Sequence, residues 1–154
     1  MKSVCFTGHR KITVTESLKA RLISRILLLV NDGFYDFYAG GALGWDMLCE
    51  KAVTEVRESR PEVRLHLVLP CPADEQTAKW NKSQKEDYQK ILEAADDVQI
   101  ISEHYTESCM KKRNARLIDL ADCCVCYCKV SRSGTGQTVR MAEKKGIIIF
   151  NLAE

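Results

Sequence analysis

Six short apolar runs, each rich in β-branched, aromatic or small apolar residues, punctuate the chain at residues 3–6, 34–39, 63–69, 98–101, 123–128 and 147–151. Such runs predict strands. Between them, apolar residues recur with helical spacing: Leu18, Leu22, Ile26 and Val30, then Met47, Ala52 and Val56, then Tyr88, Ile91, Leu92 and Ala95. Two further helices are predicted over 109–121 and 135–145, the second stopped by Gly146 in the position of a C-cap. A chain that alternates strand and helix throughout needs a crossover after each strand, and such crossovers are right-handed and cover both faces of a sheet. The fold class that follows is α/β, a Rossmann-like three-layer α/β/α sandwich with a mainly parallel sheet. Residues 70–89, polar and carrying two of the three prolines, read as the one long irregular connection.

With 154 residues, 45% of them hydrophobic, the chain can bury the core of a single domain over 1–154. No repeat, low-complexity tract or linker divides it. The 23 Lys and Arg nearly cancel the 21 Asp and Glu, and a net charge of +2 produces no global field of the kind used by non-specific nucleic-acid binders. The longest greasy stretch, LISRILLLV at 22–30, contains Arg25 and falls far short of the roughly 20 residues needed to span a bilayer. The opening residues, MKSVCFTGHR, carry no secretory signal, so the expectation is a cytoplasmic protein that does not enter the membrane. The eight cysteines lie mostly within apolar runs and read as reduced, buried thiols rather than a disulfide scaffold. In CCVCYC (123–128) alternation along a strand puts Cys124, Cys126 and Cys128 on one face about 7 Å apart, too far for a shared thiolate site, so no metal is expected. Cys71, between Pro70 and Pro72, is the thiol best placed to react.

Four loops follow strand carboxyl ends, where open α/β sheets bind ligands: TGHR (7–10), GGALGWD (40–46), PCPADEQ (70–76) and SRSGTGQT (131–138). Two of them run straight into helices, whose free N–H groups and dipole suit phosphate. Gly40, Gly41 and Gly44 would admit a ligand close to backbone, and Asp46 could accept from ribose hydroxyls; the plainer alternative is a tight turn with a capping Asp. In the last loop, Gly134, Thr135, Gly136 and Thr138 resemble a phosphate cradle without the lysine of a P-loop. Arg10 could grip a phosphate, while His9 is as readily a loop imidazole bonded to backbone. Arg113 and Asn114 could reach the same rim, as could Pro70.

The stretches CFTGHR, GGALGWD, LVLPCPADEQTAKW, MKKRN and SGTGQTVRMAEKKG, in this order and over nearly the whole chain, resemble the YpsA-like branch of the SLOG superfamily. That superfamily also holds DprA and the cytokinin-activating nucleotide phosphoribohydrolases. The resemblance implies a Rossmann-like domain with a pocket for a nucleotide or nucleotide-derived ligand, formed by Thr7, Gly8, Arg10, Gly40, Gly41, Gly44, Asp46, Gly134 and Thr135. The phosphoribohydrolases carry a Pro-Gly-Gly-x-Gly-Thr-x-x-Glu motif, and here Gln137 and Thr138 stand in the region of its acid. Neither supplies a carboxylate, so hydrolysis would have to rely on Asp46 or Glu50, with Arg113 in support. The leading expectation is a nucleotide-binding protein with a sensing or regulatory role. The alternatives are a nucleoside 5'-monophosphate N-glycosidase, and single-stranded nucleic-acid binding through Lys111, Lys112, Arg113, Arg116, Lys129, Arg132 and Arg140. Self-association is implied by the habit of relatives alone.

Overall fold

The computed structural model describes residues 2–154. Strand β1 (Ser3–Gly8) leads through α1 (Glu16–Asn31) to β2 (Asp36–Ala39), and α2 (Trp45–Ser59) leads on to β3 (Arg64–Leu69). The turn α3 (Ala73–Gln76) and helix α4 (Lys82–Ala94) precede β4 (Asp97–Ile100). Then come α5 (Cys109–Leu120), β5 (Cys123–Tyr127), α6 (Gly134–Lys145) and β6 (Ile148–Asn151). All six predicted strands form. They make one sheet in the order β4-β3-β2-β1-β5-β6, every pairing parallel.

The order fixes where helices go. From β1 to β4 the chain moves steadily toward one edge, and right-handed crossovers keep α1, α2 and α4 on one face. There Leu18, Leu22, Ile26, Val53, Tyr88 and Ile91 pack on Val4, Phe6, Phe37 and Leu67. The chain then returns across the sheet to β5, beyond β1, and continues the opposite way. Consequently α5 and α6 cover the other face, with Leu117, Ile118 and Ala142 against Cys5, Tyr38, Cys124 and Cys126. The two directions part between β1 and β5, which pair from Val4–Cys123 to Gly8–Tyr127. At their carboxyl ends the following loops peel away to opposite faces and leave a crevice.

Two local readings change. Residues 70–89 are not one irregular connection, because α4 begins at Lys82 under a capping box: Asn81 accepts from the Gln84 N–H at 2.8 Å, and the Gln84 side chain accepts from the Asn81 N–H at 3.0 Å. The polar composition of the helix's first turns hid its start. Cys71 is buried, and burial raises its thiol pKa, which removes the reason to expect reactivity there. Among the described residues no helix is long and apolar enough to cross a membrane, and no group of three His, Cys, Asp or Glu is arranged to hold a metal ion.

All eight cysteines are free; seven are buried and Cys128 is half-buried. Burial pushes Cys123 up to about 11 and Cys49 well above the ordinary thiol value. Treatment of the native protein with a disulfide reagent near neutral pH should therefore modify no more than one thiol quickly, at Cys128, and all eight only after denaturation. Rapid native modification of three or more would contradict this burial.

Candidate functional site

The loops after β1, β2 and β5, together with the start of α5, surround a cleft of about 460 Å³ at the crevice between β1 and β5. Thr7, Gly8, Arg10, Asp46, Arg113, Asn114, Gly134 and Thr135 line it. Eight of the residues singled out in the sequence thus meet in one place. The remaining candidates do not: Gly40, Gly41, Gly44, Glu50, Gly136 and Thr138 lie outside its lining, and Pro70 belongs to a neighbouring cleft.

The glycines of GGALGWD turn out to make room for protein. A Cβ on Gly40 would lie 2.7 Å from Cζ of Arg113 and 2.9 Å from Oδ2 of Asp46. On Gly41 it would meet Leu69 Cδ2 at 2.6 Å and the Tyr88 hydroxyl at 2.8 Å, and on Gly44 it would strike the His9 and Arg10 carbonyls. Gly41 and Gly44 also hold φ of 69° and 76°, conformations that side chains disfavour. The loop is therefore a junction, pressed against α5, α4 and the β1 loop at once.

Around that junction sits a buried polar cluster. The Arg113 guanidinium donates through Nη1 to the Gly40 carbonyl and through Nε to Asn114 Oδ1 at 2.8 Å. Asp46 Oδ2 accepts from the Ala42 N–H at 3.2 Å, and one helical turn on, Glu50 Oε2 accepts from the Gly41 N–H at 3.0 Å. Burial raises the Asp46 pKa against the opposing pull of Arg113. For Glu50, burial and then the Asp46 charge push the carboxyl well above its usual range. Burial likewise lowers Arg113, with Asp46 acting to restore it. Glu50 Oε1 has no hydrogen-bond partner and no exposure, so this carboxyl is sealed beneath the loop.

The two helix starts behave differently. At α2 the Trp45 N–H donates to the His9 carbonyl at 3.1 Å, and Asp46 brings a carboxylate into the first turn. That helix supplies its own anion. At α6, Ser133 caps the Gly136 N–H at 3.0 Å and donates to the Val130 carbonyl at 2.6 Å. The N–H groups of Gly134 and Thr135, first in the helix, have no acceptor among the described residues, and nothing lies within 4 Å of a Cβ built on Gly134. Thr138 is turned inward, its hydroxyl donating to the Gly134 carbonyl at 2.9 Å, and a Cβ on Gly136 would run into Ser131. Of the SGTGQT stretch, Ser133, Gly134 and Thr135 line the cleft, and Gly136 and Thr138 do not.

Arg10 is exposed, its guanidinium hydrogen-bonds only to the Met110 sulfur (Nη2–Sδ 3.7 Å), and among the described residues it forms no ion pair, although its charge is felt at Asp46. His9 is pinned: its Nε2 accepts from the Lys129 N–H at 2.8 Å and the Val130 N–H at 3.3 Å, tying the β1 loop to the β5 loop. His66 and His104 are engaged by carboxylates elsewhere, His66 by Asp36 and Asp97 and His104 by Glu75. Sequence reasoning missed Trp80 and Met110, which line the neighbouring cleft together with Arg10. The signal available was a lone tryptophan in a polar stretch after a strand end.

The model of the YpsA family, described as the YspA SLOG family, matches residues 5–146. The chain is 28% identical over 140 residues to an uncharacterised SPbeta prophage-derived protein, YoqJ, of Bacillus subtilis, spanning 82% of this chain and 81% of that one. It is also 28% identical over 133 residues to a UPF0398 protein of Bacillus pumilus, spanning 79% and 70%. DNA processing protein A from Helicobacter pylori, solved in work on its single-stranded DNA binding mode, is similar in structure with a TM-score of 0.68 at 21% identity. DprA from Streptococcus pneumoniae gives 0.65 at 16%. Each comparison covers 97% of this chain but only 64% and 50% of those longer chains, and at such identities the likeness is one of fold.

Two predictions test the junction. Gly40→Ala should destabilise by about 1–3 kcal/mol through overpacking, whereas Gly134→Ala should stay within about 0.5 kcal/mol, measured by urea unfolding. Equal effects would mean that Gly40 is not wedged. As pH rises past 4.5, unfolded Glu50 loses a proton that the folded carboxyl keeps, so this group makes stability fall with pH until it ionises in the fold. Glu50→Gln should flatten that decline in a pH series of unfolding free energies; an unchanged slope would show that Glu50 is already charged in the fold.

Proposed function

The chain belongs to the YpsA SLOG family, and on that premise we propose that it binds a nucleotide or nucleotide-derived ligand in a sensing or regulatory role, residues 1–154 acting as one unit. The observation that carries this reading is the pairing of the open Gly134–Thr135 amides with Arg10, a cation lacking an acidic partner, on one cleft. Two backbone donors at a positive helix end and a guanidinium are the groups a phosphate monoester would recruit. Thr7 and Asn114 offer further polar atoms on the same wall, and Asp46 stands where it could accept from a sugar hydroxyl.

Binding without turnover is the preferred form of this proposal. Glu50 is sealed from the cleft, and Arg113 is occupied by the Gly40 carbonyl and Asn114. One observation favours the N-glycosidase as a second reading: Asp46 lines the cleft with a raised pKa, as a general acid would. Nucleic-acid binding in the manner of DprA draws on fold likeness and scattered basic residues.

A panel of nucleoside monophosphates, ADP-ribose, NAD and cyclic dinucleotides, each assayed for thermal shift and released base, tests the reading. A ligand at about 100 times its Kd adds roughly 2.7 kcal/mol and several degrees to the midpoint. The expected result is a shift without free base, and Arg10→Ala should weaken binding about 10- to 100-fold without lowering the midpoint of the free protein. Base release abolished by Asp46→Asn would promote the glycosidase. No shift with any compound would overturn both.

A further inference from the structure

On the far side of Arg10 and Met110 lies a second cleft of about 460 Å³, walled by Leu43, Pro70, Gln76, Trp80 and Tyr105. Arg10, Ala42 and Met110 line both clefts, so the two adjoin along one rim with a cation at the boundary.

The second cleft differs in chemistry from the first. Its walls are mainly apolar or aromatic, and of its polar side chains Gln76 and Glu75 are engaged by protein partners while Arg10 and Lys79 carry the free charge. Gln76 donates to the Gly41 carbonyl at 2.9 Å, and Glu75 accepts from His104 Nδ1 at 2.8 Å and the Tyr105 N–H at 2.6 Å. The same bonds hold the segments that carry the aromatic rings. The Trp80 ring is backed edge-on by Tyr88 with centroids 5.1 Å apart, and the Trp80 backbone N–H donates to the Thr77 carbonyl at 2.9 Å. Trp80 is only partly buried, and Tyr105 is 61% exposed. A Trp80 ring backed by Tyr88 and an exposed Tyr105 ring thus line the same cleft.

We propose that this second cleft is the subsite for the planar ring of the ligand, with Trp80 as its stacking platform and Arg10 bridging ring and phosphate halves. The inference rests on the phosphate reading of the first cleft and adds what it lacks, a reason for the ligand to be a nucleotide rather than a sugar phosphate. Since Gln76 and Glu75 are engaged by protein partners, the hold on the ring comes chiefly from stacking on Trp80. Adenine therefore serves as probe for any base.

The test is calorimetric and fluorescence titration of the full chain with AMP, adenosine and ribose 5-phosphate. AMP should bind roughly 5- to 150-fold more tightly than ribose 5-phosphate, the range for one base stacked on one aromatic ring, and only the compounds carrying a base should quench tryptophan emission. Trp80→Ala should erase the AMP advantage while leaving ribose 5-phosphate unaffected, and Trp80→Phe should restore most of it. Tyr105→Ala, at an exposed position, should weaken AMP alone. Equal affinity for AMP and ribose 5-phosphate, or equal loss of both in Trp80→Ala, overturns the base subsite and leaves the phosphate reading standing. Adenosine binding that depends on Trp80 while neither phosphate-bearing compound binds more tightly keeps the subsite and removes the phosphate reading. Binding of none of the three removes both.

Discussion

The hydrogen bond from Arg113 to the Gly40 carbonyl is the contact on which the rim of this protein depends. It joins α5, on one face of the sheet, to the loop that opens α2 on the other, and it passes over the carboxyl end of β2. A buried guanidinium is costly unless its charge is answered, and here the answer is shared between a carbonyl, Asn114 and the nearby Asp46. Two acids on successive turns of α2 then crowd one cation. The pressure is relieved by shifting protons: Glu50, deeper and next to Asp46, is held toward its neutral form, which leaves Asp46 to balance Arg113.

From that cluster follows the division of labour along the rim. Because Arg113, Asp46, Glu50 and the glycines of the β2 loop spend their hydrogen bonds on each other, they are rigid and largely withdrawn from solvent. Rigid loops can hold the groups beside them in place at little entropic cost. What remains open is the start of α6, the Arg10 side chain and the aromatic surface near Trp80. On the proposed reading, recognition falls to residues at the edge of the cluster, and structure to residues at its centre.

This division explains which parts of the molecule were legible in the sequence. The strands and the parallel sheet came through because burial on both faces forces continuous apolar runs, and helical spacing between them leaves few alternatives. Strand order, and so the location of the crevice, followed from right-handed crossovers only once the return of the chain to β5 was known. At the site, a glycine reports close approach but not of what. Gly40, Gly41 and Gly44 were read as admitting a ligand, and the close partners are Arg113, Tyr88 and the Arg10 carbonyl, all distant in sequence. Thr138 was misplaced for a related reason, since a threonine one turn into a helix can bond back to its own backbone. The placement of Trp80 was hidden because its ring packs on Tyr88, across the start of a helix the polar sequence concealed.

The sealing of Glu50 also bears on how a bound ligand could be felt elsewhere in the fold. Asp46 touches the cleft and Glu50 does not, yet they are neighbours on α2 whose charges are linked through Arg113. An anion arriving at Arg10 and the α6 amides places negative charge near Asp46, which favours protonation of that carboxyl and loosens its hold on Arg113. Arg113 is also the tie between α5 and the β2 loop, so a change of charge at the cleft acts directly on the contact that joins the two faces of the sheet. On the proposed reading, such a site would register its ligand without breaking a bond in it, because the electrostatic balance of the junction would differ between its empty and filled states.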